Sequence, residues 1–210
     1  GTQFQMDAKD RILSAGRIFD PQIEGITDLR NLEIDQLNYI VQQQIARHRF
    51  YSFAQGGLAG TGGTLLLSSD LPAMAVINLR SVQLIAMSYG FEVNTPFEMM
   101  TSLKVFHFAT LPARLQNEGW EELKSEIHNA HDYLFEGNEK LTDVSWIEQP
   151  IKQLLKALAI MAFRKKFLQG IPLVSIAIGA GSNYYLTRKV TDFAQKYYQW
   201  RYLLNKNDQF

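Results

Sequence analysis

The sequence predicts an all-α protein: a single compact multi-helix bundle with two central Gly/Ala-rich helices. Three observations carry that expectation. Apolar residues recur at three- and four-residue spacing, as in Ile34, Leu37, Val41 and Ile45. No stretch shows convincing strand alternation. Prolines stand where helices should start, at Leu71-Pro72, Thr95-Pro96 and Ile171-Pro172. With 210 residues, 46% apolar and 20% charged, the chain can bury a core of its own.

Met6 to Phe19 reads as a short helix with Ile12, Leu13 and Ile18 among charges. Asp20-Pro21 ends it, because the residue before a proline avoids the helical region. Gln22 to Asn31 reads as a connector punctuated by Gly25. Residues 1–30 are therefore taken as an N-terminal helix and connector, and 31–204 as the helical domain proper.

Leu32 to Phe53 follows as a helix, with Asn31 as its N-cap and Glu33 and Asp35 at the positive end of the dipole. Five glycines then fall within eight residues, Gly56 to Gly63, which would normally break a helix. Yet Gly56 and Gly60 are four apart, as are Ala59 and Gly63. That spacing puts small residues on one side and lets another backbone come close, so a packed glycine helix is favoured over an irregular loop.

Ser68-Ser69-Asp70-Leu71-Pro72 marks the next start, with Ser69 or Asp70 as the cap. The helix to Tyr89 is apolar nearly all round (Met74, Ile77, Val82, Ile85), as a central helix is, and Gly90 ends it. Thr95-Pro96 opens a helix that Leu111-Pro112 closes. Glu118 to Phe135 is more polar, and Leu141 to Trp146 is a turn-rich bridge. Ile147 to Leu168 has the clearest period, through Ile151, Leu154, Leu158 and Met161. Gly170-Ile171-Pro172 opens a final helix to about Leu204, small and apolar in its first half, aromatic and basic in its second.

Lys+Arg equals Asp+Glu at 21 each, so net charge gives no reason to expect nucleic acid as a partner. The absence of cysteine removes disulfides, thiolate nucleophiles and thiolate metal sites. The first residues carry neither the basic start nor the apolar run of a signal peptide. No stretch reaches the roughly 18 uninterrupted apolar residues of a spanning helix. The expectation is a cytoplasmic protein, peripheral to the membrane, with no cofactor.

The run from Gly57 to Asp70-Leu71-Pro72, followed by Leu79-Arg80, Gln83 and Tyr89-Gly90, resembles the EcsC family of bacterial proteins. Ile171-Pro172, Gly179, Asn183, Arg188-Lys189-Val190, Ala194 and Tyr197 resemble the family's second signature. Together they bracket residues 33 to 202. The family takes its name from an operon that also encodes an ABC transporter, which implies a membrane-protein partner. It supplies no agreed catalytic residues. Ser175 departs from the family pattern, which tends to a glycine there.

Other chemical readings fail on their own residues. Gly57 to Thr64 has the spacing of a phosphate loop, but Gly63 stands where the lysine must be. Leu65 occupies the third glycine position of a dinucleotide motif. His128 and His131 lie on the polar helix without the Glu-x-x-His pairs of a di-iron bundle, so no metal site is assigned. Arg47-His48-Arg49 reads as a surface basic cluster and His107 as a core or boundary histidine.

Polar residues in apolar company hold more interest. Asp70, Arg80, Gln83, Asn183 and Arg188 are the ligand or partner candidates. A buried ion pair such as Asp70–Arg188 is the favoured reading, and the polar end of a pocket is the second. Gly56, Gly60, Gly63 and Gly179 are close-packing positions. No catalytic residue is assigned. The favoured function is non-enzymatic binding at a membrane surface or to a membrane transporter. A pocket for a lipid-like small molecule and a hydrolase using Asp70 are the alternatives.

Overall fold

The structure, a computed structural model, describes residues 2–59, 67–133 and 175–207, with side chains described over 3–50, 75–129 and 185–207. Gly60, Gly63, the bridge at 141–146, the helix expected over 147–168 and His131's side chain lie outside these.

The described residues are all-α. Six α-helices run in order: α1 (Thr2–Phe19), α2 (Ile34–Ala59), α3 (Leu67–Ser88), α4 (Pro96–Thr110), α5 (Ala113–Tyr133) and α6 (Ser175–Asn207). One 3-10 helix, Ile26–Asn31, interrupts the connector after α1. The Asp28 carboxylate caps it, accepting from the backbone N–H of Gly25 at 2.9 Å and of Glu24 at 3.0 Å. Those two bonds hold the carboxyl below its ordinary pKa.

Several helix ends differ from the sequence expectation. α2 is capped at Glu33 rather than Asn31, because Asn31 belongs to the 3-10 helix. The Glu33 carbonyl accepts from Leu37 N–H, and the Gln36 side chain accepts from Glu33 N–H, half of a capping box. α3 begins at Leu67, so Ser69 and Asp70 stand within its first turns rather than before them. α5 begins at Ala113, directly after Pro112, not at Glu118. α2 continues through Gly56 and Gly57 to Ala59, so the first two glycines of the run are helical.

Other ends follow their local chemistry. The Thr95 side chain accepts from Glu98 N–H and Pro96 fills the first turn of α4. α3 is stopped just before Gly90, whose φ of 88° suits glycine. Gly90 N–H donates to Met87 O and Phe91 N–H to Ala86 O, the paired bonds of a Schellman stop.

α3 is the centre. Val82 and every residue from Leu84 to Tyr89 are buried, and the helix packs on α1, α2, α4 and α6. Its neighbours bring Ile12 and Leu13 from α1, Leu37 and Ile40 from α2, Val105 and Phe106 from α4, and Tyr197, Tyr198 and Tyr202 from α6. Fully burying one such side chain contributes about 1.5–3 kcal/mol. α5 closes one side with Leu123 and Ile127 inward. It comes close to α4 because Gly119 lacks a side chain: a Cβ there would lie 2.5 Å from Phe108 Cγ.

Cross-helix hydrogen bonds fix the register. Between α2 and α3, His48 meets Ile77 O at 2.9 Å and the Tyr89 hydroxyl donates to Asn38 Oδ1 at 2.5 Å, so the two run antiparallel. Between α2 and α6, Arg49 donates to Thr191 and Gln42 to Gln195, and the Tyr202 hydroxyl of α6 donates to Leu32 O just before α2. α4 meets α6 through Glu98–Arg201 and through Lys189 Nζ donating to Leu111 O. The bundle thus has a lower end, at Leu32, Gly90, Glu98 and Tyr202. Its upper end lies beyond His48 on α2, before Ile77 on α3, before Lys189 on α6 and around the α4–α5 turn.

Candidate functional site

The candidate residues separate by height along this register. Gly56 lies eight residues beyond His48, Asp70 seven before Ile77, and Asn183 eight before Thr191. At 1.5 Å per residue these backbone positions stand at similar height near the upper end. The side chains of Asp70 and Asn183 lie outside the described residues, as does any meeting of Asp70 with Arg188. Gly179 lies one further turn up α6.

Arg188 is exposed and pairs only loosely with Asp192 on its own helix, Nε to Oδ2 at 3.8 Å. Such a pair contributes little. Arg80 is half-buried lower down, its guanidinium 4.6 Å from the centroid of the Phe4 ring on α1. Gln83, one turn further, is also half-buried.

Arg47-His48-Arg49 divides its labour. Arg47 is exposed, whereas His48 and Arg49 are half-buried and bond to α3 and α6. Burial lowers the His48 pKa; the bond to Ile77 O opposes this, and the cations Arg80 and Arg11 lower it further. His48 also meets the Phe4 ring edge-on, centroids 6.3 Å apart. His107 is half-buried and stacks on Phe108. His128 is exposed beside Trp200. No group of acidic residues and histidines among the described residues could hold a metal.

The upper end combines apolar exposure with positive charge. Phe50 on α2 is 70% exposed, Tyr185 on α6 60%, Val76 on α3 47% and Leu115 on α5 39%. The cations near the same levels are Arg47, Arg49, Arg114, Arg188 and Lys189, against the carboxylates of Asp10, Glu118 and Asp192. The lower end carries Glu24, Asp28, Glu33, Asp35, Glu92 and Glu98, against Arg30, Arg201 and Lys206. Among these residues the upper end carries an excess of cations and the lower end an excess of carboxylates.

Sequence reading found only parts of this end, because its members are scattered over four helices. Arg188 and Lys189 stood in the second family-like signature and Arg47 and Arg49 read as a surface cluster, whereas Phe50, Val76, Arg114, Leu115 and Tyr185 carried no signal of a site. It also missed the clasp at the lower end. There Glu98 and Arg201 form a two-bond ion pair, and the Arg201 guanidinium lies 4.2 Å from the Phe91 ring centroid. Arg30 lies 4.5 Å from the same ring and donates to Gly90 O. Burial works against the Arg201 charge, but the bonds to Glu98 outweigh it and raise the pKa. Arg30 is lowered, first by burial and then by the Arg201 charge. This clasp binds the end of α3 to α4 and α6, and its groups are already used by one another.

No helix among the described residues is long and apolar enough to cross a membrane. No solved structure matches the chain. An uncharacterised protein of Bacillus subtilis strain 168, YdbA, is 22% identical over 87% of the chain and 64% of its own length. The protein EcsC of the same organism is 24% identical over 84% of the chain and 68% of its own length. The chain thus spans about two thirds of these curated relatives. The family model for the EcsC protein family matches residues 1–203, the whole of the described bundle up to the last turn of α6, and the chain belongs to that family.

Proposed function

We propose that this domain is a non-enzymatic binding module that docks reversibly on an anionic bilayer surface through the upper end of its bundle. The carrying observation is the coincidence there of exposed Phe50, Tyr185, Val76 and Leu115 with the five cations named above. Apolar tips enter the headgroup region while arginines meet lipid phosphates. Each cation near an anionic leaflet contributes about 1 kcal/mol, so four or five engaged side chains support roughly 4–5 kcal/mol. That corresponds to a dissociation constant of about 1 mM to 0.2 mM, which is weak and reversible. An affinity of this size suits a protein that visits a membrane to meet a partner embedded in it.

Flotation of the purified chain with phosphatidylglycerol vesicles tests this. Binding is expected at low salt, falling steeply as salt is raised, and absent with phosphatidylcholine alone. Tyr185→Ser combined with Arg188→Glu is expected to abolish it. Failure to float with any anionic vesicle overturns the reading.

A further inference from the structure

His48 stands where three helices meet. Its Nε2 donates to Ile77 O on α3 at 2.9 Å, since a carbonyl can only accept, so the neutral ring leaves Nδ1 to take a further proton. The Phe4 ring of α1 meets it edge-on, centroids 6.3 Å apart, and the same ring carries the Arg80 guanidinium of α3 at 4.6 Å. Among the described residues the charges that reach His48 are both positive, Arg80 from α3 and Arg11 from α1. Of its chain neighbours on α2, Arg49 is turned to Thr191 on α6 and Arg47 is exposed. The carboxylates of the same stretch of α1, Asp7 and Asp10, are exposed, and Asp7 accepts from Gln3. A proton on His48 therefore adds a third positive charge to a half-buried junction.

Of the three helices, α1 is the one that can yield. Between Gln3 and Arg11 only Ala8 is fully buried, while Gln3, Met6, Asp7 and Asp10 are exposed. The Lys9–Glu92 ion pair is partly exposed and holds this stretch weakly. The firm hold begins at Ile12 and Leu13 and continues to Gly16, which lies close against Leu29 and Ile23. Release also meets a standing need: Arg11 Nε is shut off from solvent without a hydrogen-bond partner, and water supplies one once the segment opens.

We infer that the first half of α1, residues 2–11, is a proton-released strap: protonation of His48 sets its charge against Arg11 and Arg80 and frees this segment from α2 and α3, while Ile12 onward stays docked. The direction follows from linkage. In the closed junction burial first, and then Arg80 and Arg11, disfavour the charged ring against the opposing bond to Ile77 O. Once the strap leaves, part of that penalty is lifted, so the open form binds the proton more tightly and acid favours opening. Opening is minimal at neutral pH and grows as pH falls below the ordinary histidine value of 6.5, by at most about tenfold per pH unit for one proton. The inference rests on this junction alone and does not need the membrane reading.

The test is amide hydrogen exchange of the purified chain, followed by NMR from about pH 7.5 to about pH 5 and read as protection factors. The probes are the amides of Met6 to Arg11, which lie beyond the unpaired first turn of α1, with Val82 to Ser88 of α3 as reference. Protection in α1 is expected to fall with pH within that tenfold limit while the reference holds. His48→Phe, which keeps a ring against Phe4, is expected to abolish the pH dependence. Arg80→Gln, which keeps the histidine and removes one facing charge, is expected to shrink it. Protection of α1 that does not change with pH, or a loss shared equally by α1 and α3, overturns the strap. So does a pH dependence that survives His48→Phe, or that Arg80→Gln leaves unreduced where the first variant does not fold.

Discussion

Arg201 and Glu98 meet fork to fork across the α4–α6 interface, Nη1 to Oε2 at 2.8 Å and Nη2 to Oε1 at 2.7 Å, with their side chains only 10% and 13% exposed. Breaking such a pair leaves one charge stranded in the interior. Glu98→Ala is expected to destabilise the fold by about 3–5 kcal/mol in urea unfolding. The double change Glu98→Leu with Arg201→Met removes both charges and is expected to recover most of that loss. If the double variant is as unstable as the single one, the stranded charge is not the cause.

Three buried tyrosines share a lower-end environment that opposes ionisation. Burial pushes Tyr89 up to about 12. It raises Tyr197 and Tyr198 in the same direction, and the Glu98 charge adds to the effect on Tyr198. Neither the Tyr197 nor the Tyr198 hydroxyl completes a hydrogen bond of ordinary geometry, although Arg201 and Ser102 lie near them. The raised folded values mean that the fold disfavours tyrosinate. This stability is complete below the ordinary tyrosine value of 10 and is lost as pH rises beyond it. Tyrosinate absorbance and far-UV circular dichroism should change together on alkaline titration. Absorbance completed well before any loss of helix would contradict this.

His48 gives the opposite side of the pH profile. Its folded pKa is depressed, so below its ordinary value of 6.5 the unfolded chain binds the extra proton first. Stability from this group is full above about 6.5 and declines as pH falls toward the depressed folded value. His48→Phe keeps a ring against Phe4 and is expected to flatten that part of the thermal-midpoint profile. An unchanged slope would assign the acid sensitivity to another group.

Gly119→Ala should cost about 1–3 kcal/mol, because the added Cβ would lie 2.5 to 2.9 Å from the Phe108 ring and its Cβ, close to the α4 backbone. Gly16→Ala is the control. Its nearest neighbour is the terminal methyl of Leu29, which can turn away, so the cost should be smaller. Equal thermal midpoints for the two variants would refute the close α4–α5 approach.

The stops and starts that were legible in the sequence are those with local causes. Thr95-Pro96, Leu111-Pro112 and Gly90 each act within a few residues, and the structure uses them as read. The all-α class followed from the apolar period for the same reason. What escaped depends on distance along the chain. Glu98 and Arg201 are 103 residues apart, and before folding one is a first-turn acid and the other an end-of-helix base. The site was legible only as a list of polar residues on two special helices. Arg80 meets Phe4 on α1, in a stretch that the sequence period had left outside its first helix. The upper end exists only once four helices are set in register.

The excess of cations at one end of the bundle and of carboxylates at the other gives the described residues a dipole along the helices and a net charge close to zero. An electric field acts on such a molecule less by pulling a net charge than by turning its dipole. Near a negatively charged sheet the torque acts within a Debye length, about 8 Å at physiological ionic strength, before any side chain makes contact. On the proposed membrane reading the bundle would arrive already aligned, Tyr185 end first, and adding salt is expected to slow productive encounters by randomising the approach angle although the 21 basic and 21 acidic residues of the chain balance.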